Sequence, residues 1–285
     1  MQLSAMQEVL PSEADVEFYD DHGWWTSPKV FSDEQIDEAL DAAHRHYAEQ
    51  PIPGDDFHRI DDHIVRTNDS IGAVGLAPTL GAIAARLART SEVRLFYSSM
   101  IHKPAGVEGD GVTVGWHVER AYWQQSTSLN MLSAWIPLHD CDEQMGTITM
   151  IDRSHRWPGT PAVEAMRAGR RWADNLVELE RELARLGHPI EKVPMHLGKG
   201  QVSFHHCLTF HGSDINRSDR PRIAVTVHFQ DQDNRYQEVL DANGERIPCV
   251  NDHLVRRLPD GRPDYSDPEI CPVIWREGSE PTQDS

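Results

Sequence analysis

Six short segments of the chain show a side-chain period of two, which is the pattern of a β-strand with one buried face. Turn-forming residues close two of them, Pro104-Ala105-Gly106 after the first and Asp140-Cys141-Asp142-Glu143 after the third. Short strands at this spacing predict an antiparallel barrel or sandwich. The predicted strands are 93–101, 112–117, 129–138, 146–151, 200–205 and 222–229.

The last predicted strand has one apolar face and one polar face. A polar face suits the lining of a pocket better than a closed core, so we expect a pocket on that side. The apolar face comprises Ile223, Val225, Val227 and Phe229, and the other comprises Arg222, Ala224, Thr226 and His228.

Helical and irregular segments flank these strands. The capping box Ser32-Asp33-Glu34-Gln35 begins one helix, and residues 80–89 form a second. Residues 54–70 are polar and predict a loop. We interpret 1–285 as one domain, mainly β, with a helical lead-in (1–92), a β core (93–152 and 196–230), a helical insertion (153–195) and a loop-rich extension (231–285).

The insertion contains a predicted helix over 162–186, with leucines at 176, 179, 183 and 186 in register. An insertion within a β core is often a lid or a wall of the substrate pocket. The alternative is a helix that simply packs on the surface. The extension 231–285 is expected to wrap back over the barrel.

Composition excludes several classes of partner. The formal charge of −19 argues against nucleic acids and anionic membranes, both of which select basic surfaces. No apolar run reaches membrane-spanning length, and the first residues lack the features of a signal peptide. The four scattered cysteines indicate free thiols in a reducing cytoplasm. Residues 1–65 hold 16 acidic and 3 basic residues, either a solvated face or a lobe that attracts a cationic substrate.

His117, Glu119 and the distant His211 are the side chains that a mononuclear non-haem Fe(II) site needs, since two imidazoles and one carboxylate leave three positions open. Residues i and i+2 of a strand point the same way, which suits His117 and Glu119. The tripeptide alone is weak evidence in a chain with 16 His and 46 acidic residues.

The surrounding motifs resemble those of the phytanoyl-CoA dioxygenase family, over about residues 93–230. This resemblance implies a double-stranded β-helix (jelly-roll, cupin-like) fold. It also implies Fe(II), 2-oxoglutarate and O₂ as cofactor and co-substrates, with ascorbate as a candidate reductant. The similar segments are 115–123, 132–138, 143–146, 152–156, 211–213, 216–218 and Arg222.

In this family the two histidines and the carboxylate bind iron, which assigns that role to His117, Glu119 and His211. The usual carboxylate of the family is Asp, so Glu119 is a departure. Glutamate is one methylene longer but still offers a monodentate oxygen, and we interpret it as a working variant.

The resemblance also places the co-substrate. Arg222 would grip the far carboxylate of 2-oxoglutarate, for which a planar guanidinium fork is suited. Ser213 would add a hydroxyl hydrogen bond, and Trp135 and Ser99 would lie near the co-substrate.

Other polar and aromatic residues have weaker indications. His205 and His206 are rival candidates for the distal ligand but lack the Gly-Ser and the spaced Arg that follow His211. We expect His155 to be structural, and we leave open whether His228 lines the pocket. The aromatic residues Trp116, Tyr122, Trp123 and Trp157 are expected to pack rather than to bind substrate.

These features together predict a 2-oxoglutarate-dependent oxygenase that activates a C–H bond of a small molecule by hydroxylation, epimerisation, ring closure or oxidation. The acidic balance disfavours an acyl-CoA, for which the basic segment 167–171 is the only local candidate. We therefore favour a cytoplasmic enzyme of bacterial secondary-metabolite (antibiotic) biosynthesis, with its oligomeric state open. The alternatives are a non-catalytic jelly-roll binding protein and a cupin-type metal enzyme that does not use 2-oxoglutarate.

Overall fold

The strands form two facing antiparallel sheets in the computed structural model, which describes residues 8–50, 59–106, 113–169, 173 and 176–278. The strands are β1 (Trp24–Thr26), β2 (Arg59–Asp62), β3 (Glu92–Lys103), β4 (Val114–His117), β5 (Leu132–Pro137), β6 (Ile148–Ile151), β7 (Lys192–Pro194), β8 (Ser203–His206), β9 (His211–Ser213), β10 (Arg222–Asp231) and β11 (Val273–Arg276). The major sheet has the order β1-β8-β5-β10-β3-β11, with β2 also paired to β3, and the minor sheet has the order β4-β9-β6-β7. This is the predicted double-stranded β-helix.

Helices cover the outer face of the major sheet. They are α1 (Glu13–His22), α2 (Asp33–Glu49), α3 (Asp69–Gly75) and α4 (Pro78–Leu87). The predicted capping box begins α2, since the Ser32 side chain accepts from the backbone of Gln35 and the Gln35 side chain accepts from the backbone of Ser32. Apolar residues of the helices and of the sheet form the largest core cluster.

Strand β10 divides the helical core from the space between the sheets. Its predicted apolar face, Ile223, Val225, Val227 and Phe229, packs into the core beneath the helices. On its other face, Arg222, Thr226 and His228 line a cavity between the two sheets. The prediction of a two-faced strand is therefore confirmed.

The stretch Asp69–Leu87 is long and apolar enough, by composition, to cross a membrane. In the structure, however, it is divided into α3 and α4, and its buried side chains, such as Ile71, Leu80 and Ile83, belong to the core under the major sheet. A Pro78 at the first position of α4 explains the break, because proline cannot donate the hydrogen bond that would continue α3.

Two parts of the N-terminal lead-in are strands rather than helix or loop. The prediction of a loop over 54–70 is wrong for Arg59–Asp62, which pairs with β3 as β2, while residues 51–58 lie outside the described part of the chain. Trp24–Thr26 pairs with β8 as β1. Both segments are short and their partners are distant in sequence, so local patterning does not reveal them.

The described residues of the insertion form two helices, α5 (Pro161–Ala168) and α6 (Val177–Arg185), instead of the single helix predicted over 162–186. Helix α5 ends where Gly169 adopts an extended conformation. Leu176, Leu179 and Leu183 are buried as predicted, but Leu186 is 52% exposed. The insertion also supplies β7 to the minor sheet.

The C-terminal extension is loop-rich as predicted, but it ends in β11, which pairs with the start of β3. Its side chains form a second core with residues of β3 and of the loops near β5 and β8. The extension contributes Tyr236, Cys249, Val255, Tyr265 and Cys271 to this cluster. The extension therefore packs against the barrel.

Candidate active site

Paired strands bring the two predicted histidine ligands together. His117 ends β4 and His211 begins β9, and the two residues are register partners in the minor sheet, with ring centroids 4.2 Å apart. Gly212 permits this close pairing, since a Cβ at that position would lie 2.9 Å from the carbonyl oxygen of Val114.

Glu119 follows β4 at the first position of a 3₁₀ turn, Glu119–Ala121. Its Oε1 lies 3.5 Å from Nε2 of His211. One ligand atom from each of His117, Glu119 and His211 lies within 4.8 Å of the others. The structure therefore brings together the three residues that the sequence singled out.

Backbone carbonyls orient both imidazoles. Nδ1 of His117 is 2.7 Å from the oxygen of Gly115, and Nδ1 of His211 is 2.9 Å from the oxygen of Thr209. A carbonyl can only accept, so each Nδ1 carries the proton and each Nε2 keeps its lone pair. This is the tautomer that a metal ligand requires.

Burial keeps these imidazoles neutral. It lowers the pKa of His117 to about 4, with a further contribution from His211, and it lowers the pKa of His211 as well. Burial alone would raise the pKa of the Glu119 carboxyl, but the imidazoles of His228, His205 and His211 outweigh it and hold that pKa well below its usual range. Two neutral imidazoles and a carboxylate form the protonation state that binds a divalent metal.

The cluster opens into a cavity of about 670 Å³ between the two sheets. All four predicted co-substrate residues, Arg222, Ser213, Trp135 and Ser99, line this cavity. Its apolar walls include Ile60 of β2 and Val250 of the C-terminal extension, together with Ile101, Tyr122, Trp123 and Ile148. Among the described residues of 153–195, none lines the cavity, which favours the packed-helix interpretation of the insertion over a lid.

Arg222 is a buried cation at one end of the cavity. It is 1% exposed, its guanidinium carbon lies 5.3 Å from the ring centroid of Trp135, and it donates to the oxygen of Gly146 at 3.1 Å. Its Nε has no hydrogen-bond partner among the described residues. Burial lowers the pKa of Arg222 to about 10, so the side chain remains charged at neutral pH.

Lys103 is a second buried basic side chain beside Arg222, and sequence reasoning missed it. It is the register partner of Arg222 and is completely buried. Its Nζ donates to the Ser213 hydroxyl at 2.7 Å and also to the carbonyl oxygen of Asp214. Burial, together with the charge of Arg222, lowers the pKa of Lys103 to about 6. The strand period contained the signal, since Lys103 follows Ser99 by four residues, but the predicted strand ended at residue 101.

Two further histidines face the carboxylate. His205 and His228 both line the cavity, and Nε2 of His205 and Nδ1 of His228 each lie 4.0 Å from Oε1 of Glu119. His228 therefore lies in the pocket, which the sequence had left open. His206 is not part of the cavity lining, and its Nδ1 accepts instead from the backbone of Leu208 at 3.1 Å.

Of the other side chains that the sequence singled out, some pack within the fold and some line the cavity. His155 has a structural contact, with Nε2 3.0 Å from the oxygen of Asp20. Trp157 is buried in the cluster that holds α5 and α6, and Trp116 packs against the same cluster. Tyr122 and Trp123 line the cavity, so for these two the expectation of packing alone is incomplete.

A jelly-roll barrel that holds two histidines and a carboxylate beside a buried guanidinium has the arrangement of a 2-oxoglutarate-dependent non-haem iron oxygenase. The family model described as phytanoyl-CoA dioxygenase (PhyH) matches residues 19–224. The chain therefore belongs to the phytanoyl-CoA dioxygenase family.

Sequence relatives are distant. The peroxisomal phytanoyl-CoA dioxygenase of Bos taurus is 23% identical over 141 residues, which correspond to 50% of this chain and 40% of the bovine protein. The match thus spans less than half of the length of that relative.

Solved structures of similar fold include two proteins of nogalamycin biosynthesis. The α-ketoglutarate-dependent carbocyclase SnoK has a TM-score of 0.71 and 23% identity, covering 92% of this chain and 96% of its own. The epimerase SnoN, solved with Fe³⁺, α-ketoglutarate and nogalamycin RO, has a TM-score of 0.69 and 21% identity, covering 92% of this chain and 98% of its own. At these identities the likeness establishes a shared fold.

Proposed function

We propose that this protein is an Fe(II)- and 2-oxoglutarate-dependent oxygenase that activates a C–H bond of a small molecule. The observation that carries the proposal is one cavity that holds both the cluster His117, Glu119 and His211 and the buried Arg222. The cluster supplies metal ligands in the correct protonation state, and the positive charge of Arg222 attracts an anion into the cavity.

His117, Glu119 and His211 would hold the iron. Three protein ligands leave three positions for a chelating co-substrate and O₂, and neutral imidazoles with one carboxylate suit Fe(II). When bound, iron, O₂ and 2-oxoglutarate supply the oxidation of the C–H bond. The residues of this chain bind and orient these groups.

Arg222 would pair with the far carboxylate of 2-oxoglutarate. The guanidinium is held in place by Trp135 and by the oxygen of Gly146, so it is already oriented before an anion arrives. Its unpartnered Nε offers a hydrogen bond that no described residue satisfies. Ser213 would add a hydroxyl contact, and Ser99 and Trp135 would border the co-substrate.

The rest of the cavity would hold the substrate. Its walls are mainly apolar and aromatic, which suits a compact hydrophobic molecule and excludes water from the reacting C–H bond. Because SnoK and SnoN act in nogalamycin biosynthesis, we place this protein in bacterial natural-product tailoring. Hydroxylation, epimerisation, ring closure and oxidation are the outcomes that substrate pose would decide.

We further propose that residues 1–285 form a single oxygenase domain that works in the cytoplasm. All four cysteines are buried and free, as expected in a reducing compartment. The formal charge of −19 disfavours binding to a nucleic acid or an anionic membrane. The basic segment 167–171 lies partly outside the described residues.

The rival functions differ in their need for Arg222. A cupin-type metal enzyme that does not use 2-oxoglutarate needs the metal cluster but no buried guanidinium, and a binding protein needs neither. The cluster occurs together with a buried guanidinium that has no carboxylate partner among the described residues, and this combination favours the oxygenase.

The test is an anaerobic titration of Fe(II)-loaded protein with 2-oxoglutarate, followed by its weak visible charge-transfer band. We expect the band to form in the wild type, to vanish on admission of O₂, and to be absent from Glu119→Ala and His211→Ala because iron is lost. His206→Ala, which removes an imidazole outside the cavity, is the matched control and should retain the band. Iron binding without a band would favour the cupin-type enzyme, and no iron binding would favour the binding protein.

A further inference from the structure

His205 is a completely buried imidazole with no assigned task. It lies on β8, it lines the cavity, and neither of its ring nitrogens has a hydrogen-bond partner among the described residues. Buried polar groups in folded proteins are nearly always paired, so an unpaired imidazole next to a binding site indicates a partner that comes within hydrogen-bond distance when the site is loaded.

The position of His205 points to Glu119 as that partner. Ser133 of β5 is the register partner of both His205 and His228, so the two imidazoles flank it on neighbouring strands. The hydroxyl of Ser133 lies 2.7 Å from Nδ1 of His228, and both imidazoles lie 4.0 Å from Oε1 of Glu119. The carboxylate therefore lies above a cradle formed by His205, Ser133 and His228.

A carboxylate that binds a metal through one oxygen keeps a second oxygen that can accept hydrogen bonds. Glutamate has three rotatable side-chain bonds, so its carboxylate needs such a contact to hold one orientation. A neutral imidazole carries one N–H that can donate to such an oxygen. A shift of about 1 Å would bring its Nε2 from 4.0 Å to hydrogen-bond distance.

We propose that His205 is a positioning residue of the metal centre: its Nε2–H donates to the Glu119 carboxylate, and so orients the longer carboxylate ligand. This inference rests on the proposed function. It assigns to His205 a role that is neither metal ligand nor substrate contact.

The test is titration of metal-free protein with Co(II), an O₂-stable probe whose visible spectrum reports ligand geometry. Loss of a group that orients a metal ligand weakens metal affinity about 10–100-fold. We expect this weakening and an altered Co(II) spectrum for His205→Phe, which keeps the ring but removes both nitrogens. His205→Gln places an amide N–H near the position of Nε2 and should recover most of the affinity.

The matched control is His206→Phe, which removes the adjacent, half-buried imidazole and should leave both the Co(II) affinity and the spectrum unchanged. Thermal unfolding of each metal-free variant checks that it folds. If phenylalanine is not accommodated at position 205, His205→Asn, whose shorter side chain does not reach Glu119, should give the same weakening.

The route through Glu119 is tested in a double-mutant cycle. Glu119→Asp withdraws the carboxylate by one methylene, so His205→Phe should have little further effect in that background. An equal loss of affinity in both backgrounds would overturn the proposal, as would wild-type affinity and spectrum in His205→Phe. If the wild type does not bind Co(II), the metal centre itself is wrong and the role of His205 falls with it, which distinguishes the two failures.

Discussion

Replacing Arg222 with methionine should stabilise the protein and, at the same time, remove its affinity for 2-oxoglutarate. Arg222 is 1% exposed, and no carboxylate of the described residues forms an ion pair with it. Its charge is therefore held in the fold without an internal counter-ion. Methionine has a similar length and no charge, so it should fill the same space.

The magnitude follows from the pKa. Burial lowers the pKa of Arg222 from its usual value to about 10, a difference that corresponds to about 3 kcal/mol against the charged form in the folded state. Since the folded-state pKa is the lower one, this penalty is present at neutral pH and disappears only above about pH 10. The substitution also removes the hydrogen bond to Gly146 and the cation–π contact with Trp135, and these losses offset roughly 1–2 kcal/mol of the gain in stability.

We therefore expect the metal-free Arg222→Met protein to be more stable than the wild type by about 1–2 kcal/mol in urea denaturation. Loss of charge-assisted hydrogen bonds worth about 3 kcal/mol should weaken 2-oxoglutarate about 100-fold in calorimetric titration of the Co(II)-loaded protein. The control is Arg94→Met, which removes an arginine paired with Glu92 at 2.7 Å and should not stabilise the fold. Strong destabilisation by Arg222→Met, or unchanged 2-oxoglutarate affinity, would refute this reasoning.

Three other predictions test the buried lysine and the insertion. Because Lys103 has a folded-state pKa of about 6 against 10.5 in the unfolded chain, the free energy of unfolding should rise with pH between these values, and Lys103→Met should reduce that slope in denaturation curves. Binding of 2-oxoglutarate near pH 7.5 should return a proton to Lys103, which calorimetry in buffers of different ionisation heat will detect in the wild type and not in Lys103→Met. Leu183→Ala should destabilise the fold by about 2–5 kcal/mol, since Leu183 is completely buried. The same substitution should leave the affinity for 2-oxoglutarate unchanged. If the insertion were a lid, the substitution would instead lower that affinity with little loss of stability.

The His117–Glu119 pair and the two-faced strand could be predicted from sequence because they depend on local spacing. His117 and Glu119 are two residues apart, and the polar residues of β10 alternate with apolar ones over eight positions. Local spacing alone does not pair His117 with His211, which are 94 positions apart. That step came from the family resemblance, and strand register now accounts for it.

The walls of the cavity could not be predicted in this way. Ile60 belongs to a short edge strand in a polar segment, and Val250 belongs to a loop, so neither has a periodic signal. Both reach the cavity through pairing or packing with distant residues of β3. Lys103 was missed for a different reason. The predicted strand ended at residue 101, whereas β3 ends at Lys103, so the last inward-facing side chain of the strand was left out.

The acidic surface and the buried cations have separate effects on ligand choice. At physiological ionic strength, surface charges act over about 8 Å, so the net charge of −19 opposes the approach of an anion but contributes little once it is inside. Within the cavity the guanidinium of Arg222 acts in a medium of lower dielectric constant, where each charge pair is stronger. A small dianion can therefore be buried whole against the cation, whereas the phosphates of an acyl-CoA would meet the net negative charge of the protein. This difference favours a compact substrate with little negative charge, and it explains how an acidic protein of this family can still use 2-oxoglutarate.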